Sequence, residues 1–304
     1  MHVTLFATAL LLVGCGGDST PPSDASRSDG GLDAFVAPVT FTVATWNVEN
    51  FFDEVNDRDT FDEVLSPSEV AQKIENVGRV LRALDADVIA LQEVENKAIL
   101  DRLADGPLAG MGYDQRLLID SFDPRGIDVA CLARVPVSNV VSHQGERFAN
   151  ADGTNEYFFS RDALEIFAEP GGVPLIVMVL HLRSMLDGGD DHRLAEAMQA
   201  RRIADRRYEM GFERFVIAGD LNDFPGSETV QSIVDSERWT DLTESVLDAD
   251  RWTYTFRGRR QQIDYLIGSP VMLQERTEIR IVHGSEVDAA SDHSPIRATF
   301  VLQP

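Results

Sequence analysis

Phe41-Thr42-Val43-Ala44-Thr45 alternates apolar and polar side chains with a period of two, then runs into Trp46-Asn47-Val48-Glu49-Asn50. The alternation predicts a strand with one buried face. An amide and a carboxylate stand where that strand gives out, and the arrangement returns along the chain. Asp87 to Leu91 is an apolar run ending in Gln92-Glu93-Val94. Leu175 to Leu180 runs into His181-Leu182-Arg183-Ser184, and Phe215 to Ala218 into Gly219-Asp220-Leu221-Asn222-Asp223. Asp264 interrupts Ile263-Asp264-Tyr265-Leu266-Ile267, and Ser291-Asp292-His293-Ser294-Pro295 opens the last apolar run, Ile296 to Leu302. Neighbouring strands of a sheet bring their ends together. The six segments therefore predict one rim holding Asn47, Glu93, His181, Asp220, Asn222, Asp264, Asp292 and His293.

The rest of the chain alternates strands with helices. Ser66-Pro67-Ser68-Glu69 reads as a helix start, with Ser66 as cap, Pro67 at the first helical position and Glu69 closing a capping box. Val70, Ile74, Val77, Leu81 and Leu84 follow at helical spacing, and Asp190 to Met210 reads as a long helix stopped by Gly211. Further strands are expected at 117–119, 127–132, 135–141, 164–167 and 279–282. Many strands and few long helices predict an α/β domain of two packed sheets with helices outside.

Composition sets limits on function. The 304 residues are 43% hydrophobic, enough for a sizeable core, and 26% charged. Lys+Arg of 27 against Asp+Glu of 51 gives a net charge of −24, so bulk charge does not hold this chain to nucleic acid. A polyanionic substrate needs a local basic strip or a bound metal. Two cysteines exclude a disulfide scaffold and a Cys-rich zinc site, and Cys131, in an apolar strand-like run, is expected to be a buried, inert thiol.

The N-terminus reads differently from the rest. Val3 to Val13 is an apolar run of signal-peptide length, too short to span a bilayer, and it ends in Leu12-Val13-Gly14-Cys15. Small residues before a cysteine resemble the lipobox of bacterial lipoproteins, in which the peptide is cut before the cysteine and the thiol is lipidated. Gly, Ser, Pro and Asp dominate the stretch after Cys15 and cannot build a core. The expected organisation is a signal peptide with lipobox over 1–15, a disordered tether over 16–38 and one folded domain over 39–304. The resemblance places the protein in the cell envelope, on the periplasmic or extracellular face of a bacterial membrane, attached through a lipid anchor only.

The polar set suits one chemistry. Carboxylates, amides and imidazoles without a thiolate suit hard cations such as Mg²⁺, Mn²⁺ or Ca²⁺. A hard cation neutralises phosphoryl oxygens, while imidazole and carboxylate move protons. Each residue alone has a simpler reading: Asn47 a turn residue, Glu93 a solvated cap, 220–223 a turn before Pro225-Gly226, His293 a surface group. Asp264 does not, because a carboxylate flanked by Ile263 and Tyr265-Leu266-Ile267 is costly unless paired. Two acidic loops, 53–59 and 187–191, lack the spacing of a helix-loop-helix calcium loop and read as solvated. Arg201, Arg202, Arg206 and Arg207, interleaved with Asp205 and Glu209, read as a solvated helix face.

Together, Thr45-Trp46-Asn47-Val48-Glu49-Asn50, Leu91-Gln92-Glu93-Val94, His181-Leu182-Arg183-Ser184, Gly219-Asp220-Leu221-Asn222-Asp223, Ile263-Asp264-Tyr265 and Ser291-Asp292-His293 resemble the ordered motifs of the endonuclease/exonuclease/phosphatase superfamily, over roughly residues 40–302. The resemblance implies a four-layer sandwich, two packed mainly antiparallel sheets flanked by helices. It implies Glu93 as principal metal ligand, with Asp292 and Asn47 close to the ion. Asp220 and Asn222 would position or deprotonate the attacking water and bind the phosphate. His293, oriented by Asp264, would stabilise charge on phosphorus, and His181 would be a donor to the leaving oxygen. Ser160-Arg161-Asp162-Ala163-Leu164 resembles the segment that carries a phosphate-contacting Arg161. The stretch Tyr254 to Tyr265 is similar to secreted bacterial nucleases, and Arg257 and Arg259, with Arg260, read either as substrate-binding cations or as a charged surface hairpin. The expected activity is a divalent-metal phosphodiester hydrolase, a nuclease cleaving DNA or RNA by in-line water attack, with no obligate protein partner implied. The competing readings are a phosphoesterase acting on a phospholipid head group or small phosphomonoester, and a non-enzymatic surface-anchored binding protein.

Overall fold

A computed structural model describes residues 37–303, other than residues 58–59, 186–187 and 236. The signal peptide, Cys15 and the tether as far as residue 36 lie outside the described residues. In chain order the strands are β1 (Val39–Phe51), β2 (Val88–Val94), β3 (Gln115–Leu118), β4 (Asp128–Ala133), β5 (Val137–Ser142), β6 (Phe148–Ala149), β7 (Glu156–Tyr157) and β8 (Leu164–Ala168). Then come β9 (Leu175–His181), β10 (Phe215–Asp220), β11 (Thr240–Asp241), β12 (Tyr254–Phe256), β13 (Arg259–Gln261), β14 (Asp264–Gly268), β15 (Arg276–Ile281) and β16 (Ile296–Leu302). Two six-stranded sheets have the orders β15-β16-β1-β2-β4-β3 and β11-β14-β10-β9-β8-β5, and β6-β7 and β12-β13 are separate hairpins. Within the two sheets only β1-β2 and β9-β10 pair in parallel.

The period-two alternation explains the layering. Phe41 and Val43 of β1, with Val88 and Ala90 of β2, meet Val177 and Val179 of β9 and Val216 and Ala218 of β10 between the sheets. The opposite faces, Ala44, Trp46, Ile89 and Leu91, pack under the helices α1 (Pro67–Leu84) and α2 (Lys97–Asp105). On the second sheet Ile176, Met178, Phe215 and Ile217 pack under α3 (Asp190–Glu209) and α4 (Glu228–Ile233). Helix, sheet, sheet and helix make the four layers of the expected sandwich. The expected capping box of α1 is formed: Ser66 N donates to Glu69 Oε2 at 2.8 Å, and Glu69 N donates to Ser66 Oγ at 3.4 Å.

One helix was not foreseen and two local expectations are corrected. Helix α2 has no long apolar period to announce it and is set instead by its cap, with Ile99 N donating to Asn96 Oδ1 at 2.9 Å. Asp53, expected in a solvated loop, is buried, and its carboxylate accepts from Val55 N and Asn96 Nδ2. The arginines of α3 are not a uniformly solvated face. Arg207 Nη2 stands 2.6 Å from the fully buried Glu165, and Arg201 reaches Asp235 across to the next loop. A buried carboxylate on β8 has to be paired, and the long guanidinium stems reach it along the helix surface.

Candidate active site

The faces that build the core between the sheets turn polar at their ends. On β9 the inward row Leu175, Val177, Val179 continues to His181; on β10, Val216 and Ala218 continue to Asp220; on β14, Leu266 is preceded by Asp264. Asp220 is in register with His181 on one side and with Asp264 on the other. Three titratable groups from distant segments thus stand in one row across the second sheet, all buried. Gly219 makes the row possible: a Cβ there would lie 1.9 Å from Leu180 O, and its φ is +150°. On the first sheet the inward row Phe41, Val43, Thr45 continues to Asn47. Asn47 Nδ2 donates to Asp220 Oδ2 at 3.1 Å and to Glu93 Oε1 at 3.4 Å, bridging the sheets.

Glu93 arrives by a different route. Regular alternation after Ile89 and Leu91 would send it under the helices. It instead adopts a left-handed φ of 62° at a register shift between β2 and β4, and Val94 resumes the helix-facing row. The bulge turns the carboxylate to the rim, where Oε2 accepts from Asn50 N at 2.8 Å and lies 3.7 Å from Arg125 Nη2. Arg125 also donates to Asn50 Oδ1.

His293 is held on every side. Its Nδ1 is 2.8 Å from Asp264 Oδ2, its carbonyl accepts from Trp46 Nε1 at 2.9 Å, and its N–H donates to Ser291 Oγ at 3.0 Å. Tyr254 lies against the ring, with centroids 4.7 Å apart. Burial opposes a charged imidazole here, but the carboxylates of Asp264, Asp220 and Asp292 outweigh it and push the group up to about 10. The reverse holds at His181. Burial first, then the positive charges of Arg161, His293 and Arg125, hold it well below the ordinary histidine range. His181 Nε2 lies 3.7 Å from Asp220 Oδ2 and 4.0 Å from Glu93 Oε1, and its buried Nδ1 has no partner among the described residues. The two imidazoles are thus set apart, His293 protonated and His181 neutral at pH 7. Burial and the neighbouring Asp264 raise Asp220, whose Oδ1 accepts from Asn222 N at 2.7 Å. Burial raises Asp292 to about 6, His293 opposing and Glu49, Glu93 and Asp264 adding.

These residues surround a cleft of about 450 Å³. Glu93, His181, Asp220, Asn222, Asp292 and His293 line it, and Asn47 and Asp264 support it from below through the hydrogen bonds above. Arg161 lines it too, buried, with Nε 2.9 Å from Asp123 Oδ2. Asn222 Nδ2 donates to Leu182 O at 3.0 Å, which fixes its amide. Arg257 and Arg259 do not line the cleft. They stand exposed on the hairpin β12-β13, whose Phe256 and Gln261 face the cleft instead. Cys131 is fully buried, and burial pushes its thiol up to about 12.

Sequence reasoning passed over Arg125, Tyr254 and Glu196. Glu196 of α3 is fully buried. Its Oε1 accepts from Ser160 N at 2.6 Å and its Oε2 from Arg183 N at 2.7 Å. One carboxylate thereby pins the backbone beside Arg161 and beside His181. The signal was a Glu set between Ala195 and Ala197 on the buried side of the helix.

The donor set fits a hard divalent cation. Glu93 and Asp220 present carboxylate oxygens to each other with only the Asn47 amide between them, and no lysine or arginine ion pair neutralises Asp220 among the described residues. Ligand atoms of Asp220, Asp264 and His293 also lie within 4.8 Å of one another. Within that trio the 2.8 Å hydrogen bond already commits His293 Nδ1 to Asp264, and Glu93, outside the trio, offers its carboxylate to the cleft.

The chain belongs to the Endonuclease/Exonuclease/phosphatase family, whose profile matches residues 42–290. Solved structures share its fold. An endonuclease/exonuclease/phosphatase family protein from Bacteroides thetaiotaomicron is 16% identical, with TM-score 0.62, covering 88% of this chain and 99% of that one. One from Beutenbergia cavernae is 19% identical, with TM-score 0.61, covering 87% and 72%. D. rerio TDP2, solved with a single-strand DNA product, is 17% identical, with TM-score 0.60, covering 86% and 99%. No curated protein matches by sequence.

Proposed function

We propose that the protein is a divalent-metal-dependent phosphodiester hydrolase acting on nucleic acid. The observation that carries this reading is the row Asp264–Asp220–His181, joined through Asn47 to Glu93 on the facing sheet. Glu93, with Asn47 and Asp292, would hold the ion, Mg²⁺ first and Mn²⁺ or Ca²⁺ as substitutes. Such an ion supplies positive charge to the phosphoryl oxygens when bound. The chain's own groups do the rest. Asp220, held by Asn47 and by Asn222 N, accepts a hydrogen bond from the attacking water and receives its proton. His293, cationic and locked by Asp264, offers its Nε2 hydrogen to a phosphoryl oxygen as charge develops there. His181 donates a hydrogen bond on the leaving side, and Arg161 binds a non-bridging oxygen. The D. rerio TDP2 complex supports a nucleic-acid substrate.

The test is incubation of the protein with plasmid, single-stranded DNA and RNA in Mg²⁺, with Glu93→Ala and His293→Ala as controls. Cleavage by the wild type alone is expected. Intact substrates across Mg²⁺, Mn²⁺ and Ca²⁺ would sink the reading. We also propose that Cys15 carries a lipid anchor outside the cytoplasm, on the strength of the apolar run and lipobox-like residues before it. Cys15→Ser should then move the chain from the membrane to the soluble fraction.

A further inference from the structure

Aromatic rings stand in and beside the cleft. Phe122 and Phe158, 65% and 41% exposed, meet edge to face with centroids 5.9 Å apart. Phe122 precedes Asp123, which pairs with the cleft residue Arg161, and Arg161 itself follows Phe158 by three positions. The ring pair is not part of the cleft lining, but this pairing and spacing place it beside the Arg161 end. At the His293 end, Tyr254 and Phe256 of the hairpin β12-β13 line the cleft with their planes 23° apart. Leaving a ring of this size in water forgoes the gain that burial would bring. An exposed ring pair at one end and half-buried cleft-lining rings at the other mark a binding surface.

The charge beside them says what binds. Arg257 lies over Phe256 at 5.0 Å and Arg260 over Trp252 at 4.3 Å, so the hairpin interleaves guanidinium groups with ring faces. In a chain of net charge −24 this is a local basic strip against an acidic whole. A polar centre for one phosphate, ring faces at both ends and cations leading away fit a strand of unpaired nucleotides. Duplex DNA does not match, because its base faces are already stacked on one another. A bilayer does not match either. Asp120 and Asp123 stand within two positions of Phe122, so insertion of this ring pair would drag carboxylates toward lipid.

Resting on the phosphodiesterase reading above, we propose that the cleft takes single-stranded nucleic acid. The bases flanking the scissile phosphate stack on the Phe122–Phe158 pair at one end and on Phe256 at the other, and the hairpin arginines follow the outgoing backbone.

The test is binding by fluorescence anisotropy, using the Asp220→Asn chain so that no probe is cleaved. The probes are an oligothymidine, a duplex of the same length, an abasic strand with the same phosphates, and phosphatidylcholine vesicles. The oligothymidine should bind at least tenfold more tightly than the duplex and the abasic strand. Adding Phe122→Ala with Phe158→Ala, or Phe256→Ala, should remove about tenfold of that preference, and Phe158→Leu should lose affinity although it keeps apolar area. Equal binding of oligothymidine, duplex and abasic strand overturns the proposal, as does vesicle binding lost in the same variants. Hydrolysis of bis(4-nitrophenyl) phosphate by the wild type in Mg²⁺ separates the two layers. If it proceeds while base preference is missing, the stacking surface alone is wrong; if it fails, the phosphodiesterase reading beneath it is wrong.

Discussion

His293 Nδ1 stands 2.8 Å from Asp264 Oδ2, and this one contact decides which face of the imidazole meets the cleft. Asp264 has no competing role. It is buried, its N–H donates to Thr253 Oγ1 at 3.0 Å, and its Oδ1 has no partner among the described residues. Asp264→Asn would present the ring with an amide and lose the charge that keeps it protonated. We expect kcat to fall about 10²–10⁴-fold with KM little changed, and His293→Ala to fall at least as far. Steady-state kinetics on a phosphodiester substrate check this. A change confined to KM would mean that His293 only binds substrate.

The same pair sets a pH dependence of stability. His293 is raised to about 10 from an unfolded value near 6.5, so its contribution is fully present below about pH 6.5 and is lost as pH rises through 10. Asp292, raised to about 6, works in the same direction at lower pH, because the folded state holds its proton longer than the unfolded one. Metal-free protein should therefore lose stability as pH rises from 7 to 10, by at most about 1.4 kcal/mol per pH unit for one group. Urea denaturation at stepped pH measures the slope, and His293→Gln should flatten it.

Metal should reverse the sign of the electrostatic problem. Glu93, Asp220 and Asp292 crowd negative charge into one cleft, and a cation bound to the folded state alone stabilises it. At a concentration 100-fold above Kd the gain is about 2.7 kcal/mol. Mg²⁺ or Mn²⁺ should raise Tm, EDTA should abolish both the shift and the activity, and Glu93→Ala should remove most of the shift. An unchanged shift in Glu93→Ala would put the ion elsewhere.

Gly219 tests the geometry without touching a titratable group. Its backbone lies so close to Leu180 that an added Cβ meets the carbonyl oxygen at 1.9 Å. Gly219→Ala must part β9 from β10 at the register that places Asp220 beside His181. The unfavourable φ alone costs about 1–3 kcal/mol, and the clash adds to it. Loss of stability by calorimetry should come with a loss of metal affinity, since Asn47 can no longer span Asp220 and Glu93.

Much of the rim was legible because strands have a simple period. Asn47, His181, Asp220 and Asp264 all continue an alternation whose apolar members fill the core, so counting by two along each strand reaches them. Glu93 breaks the count. Its left-handed φ is a backbone choice that a glutamate does not advertise, and without the bulge the same residue would lie under α1. Arg125 and Tyr254 come on a loop and a short hairpin, where no period exists to say which way a side chain faces. The exposed position of Arg257 and Arg259 follows from the same limit, since Arg257 lies in the turn and the three-residue strand that carries Arg259 sets its facing by pairing and not by pattern. The solvated reading failed for Arg207 because the carboxylate it pairs with, Glu165, belongs to a different element, while Arg202 and Arg206 do stand exposed.

Glu196 shows how far the site depends on groups that never touch it. It sits on α3, beneath the second sheet, and accepts hydrogen bonds from Ser160 N and Arg183 N with its two carboxylate oxygens. Those N–H groups belong to the segments that carry Arg161 and His181 to the cleft. Glu196→Ala leaves both donors without their acceptor, at about 1–3 kcal/mol for each buried group left unpaired. Glu196→Gln keeps one acceptor and turns an NH₂ against the other N–H, so it should fall between wild type and alanine in stability. If the carboxylate positions the site, both variants should also raise KM for a phosphodiester in the same order, because Arg161 is displaced. Hydrogen exchange should then show the amides of residues 160 and 183 losing protection. A drop in Tm with KM unchanged would make Glu196 a support of the fold alone.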